Sequence, residues 1–223
     1  MLVNLIGITK PSAITDCNTA ADLVAYTARV SNPSNQNNLE TSGKLVKYLI
    51  REAHWSPFEM VHMVMEIKTT RDISRQILRH RSFSFQEFSQ RYAVSENFVT
   101  TREVRLQDHK NRQNSIVPEN DEVVSLSIFF EKLQREVVEV SKANYKAALD
   151  SGIAKEQARA LLPEGLTETT LYMSGTLRSW IHYVDLRTTL GTQKEHRAIA
   201  EQCKEIILQH FPMLSDYWSR DQL

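Results

Sequence analysis

The chain has 223 residues, 41% of them hydrophobic, and balances 27 Lys and Arg against 27 Asp and Glu. That length supports one domain, residues 1–223, with a sizeable core, and zero net charge excludes a general polyanion binder, which works through a basic excess. Two cysteines, Cys17 and Cys203, exclude a disulfide framework and point to a reducing, cytoplasmic setting, and no stretch approaches the roughly 18 apolar residues of a membrane span.

Residues 1–8 read as a first strand, not a signal peptide, because no basic segment precedes the apolar run. Residues 22–30 place apolar side chains at helical spacing, and 32–38 form a polar, turn-rich loop. A helix is expected over 40–54, with Leu45, Tyr48 and Leu49 on one face, closed by Ser56-Pro57. Residues 58–67 read as a strand buried on much of both faces. Asp72 is the expected N-cap of a helix over 73–78. Residues 82–92 carry no helical stripe and read as extended or looped.

Past a polar connection at 111–120, Asp121 is expected to cap a long helix towards Leu149, ended by Ser151-Gly152. Its apolar set includes Leu126, Phe129, Phe130, Leu133, Val137 and Val140. A short helix over 155–162 stops at Pro163, residues 169–173 form a strand, Ser174-Gly175-Thr176 opens another helix, and 193–210 form the last, stopped at Pro212. The order implies an α+β domain, its central sheet largely antiparallel or mixed and flanked by long helices.

The six glycines form neither GxGxxG nor GxxxxGK[ST], which removes the two commonest nucleotide loops. There is no HExxH and no CxxC, so no metal site is expected. Cys203, within the last helix, reads as a small buried hydrophobe.

The informative stretch runs from Arg71 to Arg91, with five arginines against two acids. Guanidinium forks suit phosphate oxygens. Gln76 and Arg79 share a helix face, while Arg79 and Arg81, flanking His80, point apart. In extended backbone Glu87, Ser89 and Arg91 alternate onto one side, giving an acceptor, a hydroxyl and a cation. Phe83, Phe85 and Phe88 pack beneath or stack on rings. A solvated helix face, or an RNA-binding module, accounts for the same pattern. Near the C-terminus, Arg178, His182 and Asp185 form a polar stripe beside the apolar Leu177, Trp180, Ile181 and Val184. Arg187 falls on the apolar side, where a cation needs an acidic partner, a ligand or a snorkelling path.

Arg79-His80-Arg81, seven residues and then Ser89 resemble the RHR-x7-S signature of the flavin-dependent thymidylate synthases, and Ser89-Gln90-Arg91-Tyr92 is similar to that family's continuation. His54-Trp55-Ser56-Pro57-Phe58-Glu59, the stretch from Ala158 to Pro163 with Arg159, and the stretch from Thr176 to Arg187 resemble further family segments in the expected order. Gln86 and Thr176 stand where relatives carry asparagine.

The resemblance implies conversion of dUMP to dTMP, with 5,10-methylenetetrahydrofolate giving the carbon, FAD the hydride and NADPH the electrons. It implies that Arg187 activates the uracil. Gln76, Arg79, Glu87, Ser89, Gln90, Arg91, Arg159 and Arg187 would bind dUMP. Ser56, Arg79, His80, Arg81, Glu87, Thr176, Arg178 and His182 would hold FAD, with His54 by the channel. It further implies a homotetramer with sites shared between subunits and no nucleic-acid or membrane partner. A nucleotide sensor without catalysis remains the alternative, beside the RNA-binding module.

Overall fold

The computed structural model describes residues 1–99, 101–118 and 122–219. Four strands make the main sheet: β1 (Leu2–Ile8), β2 (His62–Thr70), β3 (Ser84–Glu87) and, later in the chain, a strand over Glu168–Thr176. The short strands Leu106–Gln107 (β4) and Ser115–Ile116 (β5) form a separate hairpin, which makes Glu168–Thr176 β6. The main sheet runs β1-β2-β6-β3 with every pairing antiparallel. β2 and β6 pair over nine residues, Met65 opposite Met173 and Ile67 opposite Leu171. Met63, Met65, Ile67, Leu171 and Met173 all turn inward and are fully buried, as period-2 alternation requires.

The helices are α1 (Ala20–Ala28), α2 (Ser42–Arg51), α3 (Arg71–Ile77), α4 (Glu122–Asp150), α5 (Lys155–Ala158), α6 (Leu177–Arg187), α7 (Lys194–His210) and α8 (Ser215–Ser219). Trp180 and Val184 of α6 and Ile199, Cys203 and Ile207 of α7 close the core over the sheet. The Cys203 thiol is pushed up, beyond the ordinary cysteine range, by complete burial, which keeps it protonated and unreactive. Among the described residues no helix is long and apolar enough to cross a membrane.

Several expectations need correction. The strand expected over 58–67 begins only at His62, because Pro57 opens a 3-10 turn over Ser56–Met60. The apolar run there comes from a turn that buries Phe58, and β2 itself is fully buried on one face only, with His62 and Lys68 exposed. The first helix starts earlier than 22 because Thr19 is its cap. The Thr19 hydroxyl accepts from Asp22 N at 3.1 Å, and Asp22 accepts from Thr19 N at 2.9 Å, so Asp22 closes a capping box. Asp72 is not the cap of α3; that place belongs to Thr70. Arg102 draws the Asp72 carboxylate into an ion pair at 2.7 Å, and the Thr70 hydroxyl donates to it at 2.6 Å. The cap expected at Asp121 lies outside the described residues. The helix over 193–210 does end before Pro212, which then opens a 3-10 turn leading into α8.

β6 is longer than expected, running through Ser174 and Gly175. Thr176 then caps α6, its hydroxyl accepting from Ser179 N at 3.1 Å. A Cβ on Gly175 would lie 2.4 Å from Cδ1 of Phe83, a ring packed at 4.8 Å from Trp180. Gly175→Ala is therefore expected to lower stability by about 1–3 kcal/mol through overpacking, read from urea unfolding. An unchanged midpoint would show that Phe83 yields freely.

The apolar set of α4 does not join the core. Phe129 and Val140 are each 59% exposed, and Leu126, Phe130, Leu133 and Val137 are exposed beside them. The helix is held along another side, by the buried Gln134, which bonds the Arg102 backbone, by Val138, and at its end by Tyr145 and Ala148 against Ala158.

Candidate active site

The sequence-predicted residues fall into three groups. The first lies where α3 and α6 end. His80 follows α3, and Arg187 is the last residue of α6. Arg187 Nε donates to His80 Nε2 at 2.9 Å. That bond fixes the histidine tautomer, because Nε2 must be the acceptor and Nδ1 must carry the proton. Burial, and then the Arg187 cation, push His80 down to about 4. The cation on the apolar side of α6 is thus met by a neutral imidazole rather than by an acidic partner. Among the described residues Arg187 makes no ion pair.

Tyr183, one turn before Arg187, lies edge-on to His80 at 4.9 Å. Its hydroxyl pairs with His196 Nε2 at 3.1 Å, and His196 Nδ1 faces Gln76 Oε1 at 3.3 Å. His196 is fully buried, and burial, Arg187 and His80 push it down to about 3. Gln76 Nε2 donates to Gln193 at 2.7 Å. Arg79 and Arg81 are exposed.

The second group gathers around Glu156. The alternation expected of Glu87, Ser89 and Arg91 stops at Glu87, where β3 ends, because 89–93 close into a turn with Tyr92 N and Ala93 N both donating to Ser89 O at 3.1 Å. Glu87 faces away from Ser89 and Arg91. Its Oε1 accepts from Ser74 at 2.7 Å and Thr169 at 3.0 Å and pairs with the buried Arg71 at 3.3 Å. Arg75 approaches the second oxygen only to 3.9 Å, so Oε2 retains acceptor capacity. Gln90 is buried, its amide donating to Ser95 at 3.1 Å. Arg91 Nε reaches the Glu156 carboxylate at 3.4 Å, and Arg159 Nε donates to the Glu156 carbonyl at 3.2 Å. Arg91 and Arg159, 68 positions apart by subtraction of their numbers, therefore meet at one spot.

The third group sits at the start of α6. The His182 ring meets Trp55 edge-on at 4.7 Å, and Arg178 Nη1 pairs with Glu59 at 2.8 Å. The Thr176 side chain is occupied by its cap bond. Ser56 and His54 are exposed beside this group. Arg178 and Arg187 stand nine residues apart on α6, about 14 Å along the axis, so one helix joins the first and third groups.

A cavity of about 760 Å³, lined by Lys68, Thr69, Phe88, Arg102 and Glu195 among others, contains none of the predicted site residues. Among the described residues no group of three His, Cys, Asp or Glu side chains is placed to hold a metal. Sequence reasoning missed Tyr183, Gln193, Glu195 and His196. Tyr183 had a signal, the i, i+4 spacing to Arg187 on one helix. The other three reach Gln76 only through the packing of α7 on α3.

An antiparallel α+β domain with exposed guanidinium groups from separate stretches defines a class, a protein whose surface suits phosphate-bearing ligands. The Thymidylate synthase complementing protein family model matches residues 13–213. The chain is 51% identical over 217 residues to the probable flavin-dependent thymidylate synthase of Paramecium bursaria Chlorella virus 1, covering 96% of this chain and 97% of that protein. It is 49% identical to the flavin-dependent thymidylate synthase of a Synechocystis species, covering 96% and 98%. The crystal structure of the UMP/dUMP methylase PolB from Streptomyces cacaoi bound with 5-Br dUMP superimposes with a TM-score of 0.80 at 26% identity, over 98% of this chain and 94% of that one. The chain belongs to the flavin-dependent thymidylate synthase family.

Proposed function

We propose that this chain reductively methylates dUMP to dTMP, with 5,10-methylenetetrahydrofolate as carbon donor, FAD as cofactor and NADPH as reductant. Family membership makes it a flavoprotein methyltransferase. The observation that carries the residue assignment is Arg187 resting on a neutral imidazole. A carboxylate partner would neutralise the guanidinium, whereas His80 orients it and leaves its charge whole. Aimed at the pyrimidine, Arg187 stabilises the negative charge that develops near N3 and O2 as C5 becomes nucleophilic, and such fixed donors act most strongly where water is excluded.

Arg79, Arg91, Arg159 and Ser89, with the backbone at Gln90, hold the dUMP phosphate, and Gln76 and Glu87 contact the nucleotide. For Arg91 this means exchanging the 3.4 Å contact with the half-exposed Glu156 for phosphate, an exposed pairing that costs little to give up. The donor set fits FAD. Arg79 and Arg81 offer exposed forks to a diphosphate, while Ser56, His80, Thr176, Arg178, His182 and the acceptor oxygen of Glu87 complete the cradle, with His54 at the channel. When bound, FAD supplies hydride chemistry; the protein supplies orientation.

The active unit is a homotetramer in the cytoplasm with sites shared between subunits. Two features support this reading: the predicted residues lie in separate groups outside the 760 Å³ cavity, and α4 exposes a continuous apolar set. Phe129→Glu is expected to convert a sedimenting tetramer into smaller species with loss of FAD, whereas a tetramer unaffected by this change would place the interface elsewhere. The decisive test of function is formation of dTMP from dUMP, methylenetetrahydrofolate and NADPH by the purified yellow protein. Binding of dUMP without NADPH oxidation would indicate a sensor, and a colourless protein with salt-dependent RNA affinity would indicate an RNA-binding module.

A further inference from the structure

Gln76 is held within a chain of hydrogen bonds whose polarity is fixed from one end. Arg105 Nη2 clamps the Glu195 carboxylate at 2.6 Å and 2.8 Å, and both side chains are largely buried. Burial alone would raise the Glu195 carboxyl, but the hydrogen bond from Arg105 holds it below its ordinary value, so it is ionised and only accepts. Gln193 Nε2, 3.0 Å away, must donate to it. The Gln193 oxygen then lies on the other side and accepts from Gln76 Nε2 at 2.7 Å. Gln76 Oε1 is left facing His196 Nδ1 at 3.3 Å, which therefore carries the proton, and His196 Nε2 accepts from the Tyr183 hydroxyl at 3.1 Å. Turning either amide over would set donor against donor or acceptor against acceptor in a buried place.

Resting on the reading above that Gln76 contacts dUMP, we propose that Gln193, Glu195 and Arg105 are positioning residues that lock the Gln76 amide so that its second Nε2 hydrogen is offered to an oxygen acceptor of the nucleotide. A free glutamine presents oxygen or nitrogen with equal ease. The chain removes that choice before the ligand arrives, so binding does not have to order the side chain. At the opposite end the His196 Nδ1–H donates to Gln76 Oε1, which keeps the amide oxygen turned to that side. None of this touches the reacting atoms; the effect runs through Gln76 alone.

The test is a double-mutant cycle on the FAD-loaded protein, with dUMP affinity read by calorimetry and turnover measured separately. Gln193 stands at the N-cap position of α7 without making a side-chain cap bond, so Gln193→Ala breaks the chain without uncapping the helix. It is expected to weaken dUMP binding about tenfold, with kcat at saturating dUMP unchanged to within about twofold. On a Gln76→Ala background the same substitution is expected to add less than about twofold, because the two residues act as one unit. Glu195→Gln, which keeps the shape and removes the charge that sets the polarity, is expected to weaken dUMP binding by a similar factor. Full dUMP affinity in Gln193→Ala, or an equal loss with and without Gln76, overturns the proposal, and the cycle decides it even if Glu195→Gln fails to fold. Unsubstituted protein that binds FAD but no dUMP would instead sink the reading on which the proposal rests.

Discussion

Arg187→Ala should lower kcat by about 10²–10³-fold, the usual cost of removing one aligned donor from a developing negative charge, while FAD stays bound. The reasoning starts from position. Arg187 closes α6 and is half-buried, so its loss leaves no cavity in the core and opens no buried charge. Its hydrogen-bond partner is His80, a neutral group that keeps water as an alternative neighbour when the guanidinium is gone. A structural role would show as lost stability with kcat preserved. A transition-state role shows as lost kcat with the melting temperature nearly constant. Arg187→Lys separates charge from geometry: an ammonium restores the charge but not the planar fork that reaches His80 and the pyrimidine together, and it should recover only part of the rate. Single-turnover dTMP formation from pre-reduced enzyme reads the step directly. A kcat within about threefold of the unsubstituted enzyme in Arg187→Ala would remove this residue from the chemistry.

The strand at β2 was legible in alternating residues because Met63, Met65 and Ile67 point one way, and its start was not, because Phe58 and Val61 mimic a strand while Pro57 bends the chain into a turn. Local patterns report which side chains are apolar; they do not report whether a turn or a strand buries them. The same limit explains Asp72, a good cap by type that a distant Arg102 recruits into an ion pair, and Glu87, whose neighbours on α3 and β6 turn it from the line of Ser89 and Arg91. Arg91 was singled out by strand alternation and Arg159 by resemblance alone, and their meeting at Glu156 depends on α5 folding back against the 89–93 turn. The apolar face of α4 was visible in sequence, but periodicity marks only that a face is apolar, and here the chain itself does not cover it. Arg187 was flagged correctly as a cation in an apolar setting. Its partner was not foreseen, since a histidine 107 positions away carries no local signal.

Acidification should destabilise the protein between pH 6.5 and 4, and His196→Gln should flatten that dependence by about half. His80 and His196 sit at about 4 and about 3 in the folded chain, against about 6.5 when unfolded. Both values are depressed, so between the two limits the unfolded chain binds more protons than the folded one, and stability falls as pH falls. Each proton contributes a slope of up to about 1.4 kcal/mol per pH unit. With the partly exposed His80 discounted for solvent screening, the loss from pH 6.5 to 4 is of the order of 5 kcal/mol, somewhat more than half of it from the fully buried His196, a large part of a typical folding free energy. Carboxylates with lowered values, Glu59 and Glu195, act in the same direction but only as pH passes below the ordinary glutamate range near 4.5, which leaves pH 5 to 6.5 to the histidines. Glutamine at 196 carries no titrating proton and retains polar atoms for Gln76 and Tyr183. Urea midpoints taken every half unit of pH should therefore converge for the two proteins towards pH 4, however far apart they lie at pH 7. Parallel curves would mean that His196 is not the buried neutral group whose protonation drives acid unfolding, and the electrostatic picture of Arg187 flanked by two uncharged imidazoles would fall with it.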